Sequence, residues 1–115
     1  MRTIEVEIRE LHDGRMWFDP YVFNVRLGEQ VRIVIKNSGD FPHAFVIATP
    51  QEIQRYVTDL KDRPDFWRSE ANWAWVMPTE RGELVWHFTR AGSFEFADVA
   101  PGRREAGLTG LINVR

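Results

Sequence analysis

The chain has 115 residues, no cysteine and a formal net charge of −2 at pH 7. The missing cysteine excludes disulfides, thiolate metal sites and a cysteine nucleophile, and the lack of a basic excess argues against a nucleic-acid partner. With 43% hydrophobic and 13% aromatic residues, the composition is that of one folded domain over 1–115, large enough to bury a core.

Alternation starts at once. Ile4, Val6 and Ile8 share one face of a first strand, with Glu5, Glu7 and Arg9 opposite. His12-Asp13-Gly14-Arg15 is a turn, residues 21–25 form a short strand, and Gly28 ends it. Val31, Ile33 and Ile35 alternate in the next strand until Asn37-Ser38-Gly39-Asp40 breaks it, and a further strand covers 43–48. Thr49-Pro50-Gln51-Glu52 then combines an N-cap hydroxyl, a proline at the first helical position and a glutamate at the third. Ile53, Tyr56, Val57 and Leu60 follow as one apolar stripe, and Arg63-Pro64 stops the helix.

Residues 65–72 read as a loop and 73–77 as a strand. Leu84, Trp86 and Phe88 alternate in a strand that turns at Ala91-Gly92 into 93–97, and 109–114 close the chain. Many short strands around one helical insertion, at about 50–63, predict an all-β sandwich. No apolar run approaches the ~18 residues of a membrane span. Met1 leads straight into a strand without the basic start and apolar run of a secretory signal. That pattern points to the cytoplasm unless an export signal has been trimmed.

Residues 94–110 (FEFADVAPGRREAGLTG) carry the most specific signal. They resemble the copper-binding hairpin of small bacterial cupredoxins of the copper-tolerance type. Residues 27–39 (LGEQVRIVIKNSG) and 82–97 (GELVWHFTRAGSFEFA) resemble the same family, and the helix sits where this subgroup carries an insertion. The resemblance implies a Greek-key cupredoxin fold and a periplasmic location. In the family, position 43 is a histidine ligand, 98 the cysteine thiolate, 103 a second histidine and 108 the axial methionine. Such His₂Cys sites with a long axial thioether serve electron transfer.

Here those positions hold His43, Asp98, Arg103 and Leu108. Asp98 lacks the sulfur, the Arg103 guanidinium offers donors only, and Leu108 supplies only volume. No resident cofactor is therefore expected. An Asp98–Arg103 ion pair would fill the vacated place, with His43 a partly buried neighbour bonded to backbone. The alternative is a weakly held Cu²⁺ or Zn²⁺ in an N/O site of His43, Asp98 and Glu105.

Residues 65–72 contain neither Met nor His, which removes a second copper route. His87 is expected at the surface, and Met16 and Met77 in core or strand. Ser38, Ser69 and Ser93 sit in turn-like contexts with no base and orienting group arranged around them, so an enzyme is not expected. What remains is a binding or accessory module in a metal or redox pathway, with a protein partner. Arg103, Arg104, Trp67, Trp73 and Trp75 are its candidate contact residues. Without a thiolate, added Cu²⁺ will leave the protein lacking the intense visible absorption of a copper–sulfur bond; an absorption titration that shows such a band would contradict this reading.

Overall fold

The computed structural model describes residues 1–65 and 70–115. Among the described residues, nine strands and a helix run in the order β1 (Arg2–Glu10), β2 (Met16–Asp19), β3 (Val22–Val25), β4 (Gln30–Asn37), β5 (His43–Ala48), α1 (Pro50–Asp62), β6 (Trp73–Val76), β7 (Arg81–His87), β8 (Gly92–Asp98) and β9 (Thr109–Val114). They make two sheets, β2-β1-β4-β7 and β3-β9-β8-β5-β6. β1 runs parallel to β4 and β3 parallel to β9, while the other pairs are antiparallel. This is the two-sheet sandwich that the sequence pattern predicts, with one helical insertion.

The period of two places the core. Val6 and Ile8 of β1, Val31, Ile33 and Ile35 of β4, Phe45 and Ile47 of β5, and Phe96 of β8 all point between the sheets. Phe96 lies at the centre, with Phe18, Phe23 and Phe45 ring centroids 5.0, 5.3 and 5.5 Å away. Gly110 faces the Phe96 ring so closely that a Cβ there would overlap it, which explains a glycine inside a strand.

β5 is buried along its whole length because its outer face is also covered. Ala44, Val46 and Ala48 pack under the α1 stripe of Ile53, Tyr56, Val57 and Leu60. The predicted capping box forms: Thr49 Oγ1 accepts from the Glu52 N–H, and the Glu52 carboxylate accepts from the Thr49 N–H at 3.0 Å. β2 was not expected. It is a four-residue strand whose antiparallel partner is β1, and only Phe18 of its side chains is fully buried.

Candidate functional site

Four inner rows of side chains end at one pole of the sandwich in a polar residue. The row Ile4, Val6, Ile8 reaches Glu10. Val31, Ile33, Ile35 reach Asn37, Phe45 leads back to His43, and Phe94, Phe96 reach Asp98. The register that aims the apolar side chains inward aims these four inward as well. His43, Asp98 and Asn37 are 0%, 0% and 1% exposed, so each needs a partner.

They find one another. His43 Nδ1 lies 2.7 Å from Asp98 Oδ2, and His43 Nε2 lies 2.6 Å from Glu10 Oε2. Glu10 also accepts from the Asp40 N–H at 2.9 Å and the Phe41 N–H at 3.3 Å. Asp98 Oδ1 accepts from the Ala100 N–H at 2.9 Å. Asn37 donates to the Phe41 and Val76 carbonyls and accepts from the Gly39 N–H, which fixes the loop that feeds Glu10. Gly39 is required here, since a Cβ at that position would overlap the Glu10 carboxyl.

Arg103 completes the cluster. Its Nη1 lies 3.0 Å from His43 Nδ1 and 3.8 Å from Asp98 Oδ2, with the guanidinium stacked 5.3 Å from the Phe41 ring centroid. Two short N···O contacts to carboxylates demand a proton on each line. Imidazolium between two carboxylates satisfies this, and so does a neutral ring with one carboxyl protonated. With Arg103 counted, either arrangement carries no net charge, which is what allows four ionisable groups to sit in an interior.

Burial works to raise the Glu10 carboxyl, but the Asp40 N–H, His43 and the Phe41 N–H together hold it below its ordinary 4.5.

The expected ion pair between Asp98 and Arg103 is present, with Nη1 3.8 Å from Oδ2, but the shorter contact of the Asp98 carboxylate is to His43 Nδ1 at 2.7 Å. His43 is wholly buried and bonded to two carboxylates, not partly buried and bonded to backbone. Glu105 faces solvent; the second carboxylate at the imidazole is Glu10, which is absent from the sequence-predicted set although its place in the inward register of β1 is a signal that could have found it. Leu108 is 0% exposed and packs in the central core.

Arg104 turns towards the helix side, gripping Glu95 through two nitrogens at 2.7 and 2.8 Å and Gln54 at 2.8 Å. Trp73 is buried, its ring 5.0 Å from that of Tyr56, whereas Trp75 is half exposed. Trp67 lies outside the described residues. His87 is exposed, its Nε2 3.0 Å from the Gly28 carbonyl.

The chain is 39% identical over 108 residues to a copper-resistant cuproprotein, CopI, of Rubrivivax gelatinosus, a match covering 94% of this chain and 66% of the relative. It is 29% identical to the CopI of Pseudomonas aeruginosa over 99% of this chain and 76% of that one. Auracyanin A, a blue copper protein of Chloroflexus aurantiacus, superposes with a TM-score of 0.80 over the full length of both chains at 18% identity. The chain belongs to the small bacterial cupredoxins. No protein-family model matches it.

Within that family this donor set does not fit a blue-copper ion. Neither ring nitrogen of His43 is open, position 98, where the resemblance implies a thiolate, holds a carboxylate with a guanidinium beside it, and position 108, where it implies an axial thioether, holds an apolar side chain. Among the described residues no group of three or more His, Asp or Glu is arranged to hold a metal ion. No described helix is long and apolar enough to cross a membrane.

Glu10→Gln removes charge-assisted bonds at the imidazole and will cost roughly 1.5–3 kcal/mol in urea unfolding near neutral pH. Because the Glu10 value is depressed in the fold, its contribution is present above about 4.5 and lost as pH falls through the lower folded value. The gap between parent and variant will therefore shrink below pH ~4.5. Gly39→Ala will reproduce much of the loss by displacing the carboxyl, and a pH-independent gap would contradict the assignment.

Proposed function

We propose that this protein is a cupredoxin-fold module of a copper-handling pathway that acts by binding a protein partner, carries no blue-copper ion and catalyses no reaction. The observation that carries this reading is the closed, charge-balanced cluster of Glu10, His43, Asp98 and Arg103, at the positions where the sequence resemblance implies the family's metal. Such a cluster offers neither a thiolate for fast electron transfer nor an open coordination position for substrate. The copper connection, and with it a periplasmic setting, comes from the relatives named as copper-resistant cuproproteins.

The surface at this pole supports partner binding. Phe41 is 50%, Trp75 49% and Met77 41% exposed, and Trp75 shares a groove with Pro101 and Leu60. The Arg103 guanidinium lies over Phe41. Aromatic and arginine side chains of this kind dominate the energetics of protein interfaces. The divalent-ion alternative draws on one observation, the adjacency of His43 Nδ1 and Asp98 Oδ2; Glu105 adds nothing to it from its solvent-facing position.

Deleting the gene in its source organism will lower copper tolerance, and the parent chain will restore it. A folded Phe41→Ala/Trp75→Ala variant will not, since loss of two aromatic anchors weakens a partner by roughly 30-fold or more, ~2 kcal/mol. Unchanged tolerance on deletion, or full restoration by the double variant, would sink the proposal.

A further inference from the structure

The cluster holds a cation in a particular place. His43 Nδ1 and Asp98 Oδ2 are 2.7 Å apart, and Arg103 Nη1 lies 3.0 Å from the first and 3.8 Å from the second. The three atoms form a triangle, so the guanidinium stands over the edge that joins an imidazole nitrogen to a carboxylate oxygen. A divalent ion at the ~2.0–2.1 Å of ordinary N/O coordination on that side would overlap the guanidinium nitrogen. Its charge would also stand directly against the guanidinium's.

On the far side of the ring Glu10 holds Nε2 at 2.6 Å. A carboxylate on the outer nitrogen is the arrangement that orients metal-binding imidazoles and raises their basicity. Arg103 is the most easily moved member: its side chain is 22% exposed, against 0% for His43 and Asp98 and 9% for Glu10. It reaches in from the 101–107 turn and is held by stacking on Phe41 and a long 3.4 Å contact to the Pro42 carbonyl.

We infer that Arg103 is the built-in cation that keeps a latent N/O divalent-ion site closed, with His43 Nδ1 and Asp98 Oδ2 as its ligands and Glu10 as the residue positioning the imidazole. Arg103 thus determines specificity: with it the pole takes no ion, and without it the pole accepts a borderline cation of the Zn²⁺ or Co²⁺ type. This rests on the reading that the parent chain's cluster is closed to metal.

The test uses Co²⁺, whose visible d–d bands report coordination directly, on metal-free full-length chains checked for fold by circular dichroism. R103H, which exchanges the cation for a third nitrogen donor, will bind Co²⁺ at least ~100-fold tighter than the parent. R103A will bind more weakly than R103H but above the parent, and carries the test should R103H not fold. R103K, which keeps the charge, will stay closed. Adding Glu10→Gln to R103H will weaken binding by about 10- to 100-fold, and adding His43→Ala will abolish the bands. Parent binding that disappears in His43→Ala would overturn the closed-cluster reading itself. R103H and R103A as indifferent to Co²⁺ as the parent, or bands that survive His43→Ala, would overturn the role given to Arg103 and leave the closed-cluster reading standing.

Discussion

The Glu10–His43–Asp98 bridge is the constraint from which the rest of this pole follows. Glu10 belongs to the sheet β2-β1-β4-β7, while His43 and Asp98 belong to the other, so the imidazole ties the two layers together at the end of their shared core. Apolar packing holds the sandwich elsewhere, with Phe96 at its centre. Here the layers are joined by short, charge-assisted bonds in which every ionisable group has a partner. Removing one member leaves another buried and uncompensated, which costs more than the bridge itself contributes.

The bridge also accounts for its surroundings. Asn37 and Gly39 shape the 38–41 loop so that two backbone N–H groups reach Glu10. That loop puts Phe41 at the surface, and Phe41 gives the Arg103 guanidinium a face to stack on. Arg103 in turn brings the positive charge that balances the second carboxylate. The polar interior and the exposed Phe41 ring at this pole are parts of one arrangement.

Much of this was readable from sequence, and the parts that were not have physical reasons. Strict alternation in β1, β4 and β7 and the capping box of α1 are local signals, and those elements form where the pattern puts them. β2 escaped because four residues with one buried side chain show no periodicity; its existence depends on pairing with β1. Trp73 and Trp75 share a strand face by alternation, yet one is buried and the other half exposed, because Tyr56 of the helix covers the Trp73 end.

Glu10 was the missing member of the site. Its position continues the inward row Ile4, Val6, Ile8, but a charge at a strand end ordinarily marks exit to solvent. What makes Glu10 turn in is His43, brought to it by topology across 33 residues of chain. Glu105 was named instead because it lies in the hairpin next to Arg103, where nearness in sequence stood in for nearness in space.

The ring of His43 itself offers the most direct test. With both nitrogens 2.6–2.7 Å from carboxylate oxygens and no solvent exposure, nuclear magnetic resonance near neutral pH will show two solvent-protected downfield protons, one on each N···O line. The Nε2 resonance will be lost or moved upfield in Glu10→Gln while the Nδ1 resonance persists. A single ring proton in rapid exchange with water, unaffected by that substitution, would contradict the closed bridge on which this account of the protein depends.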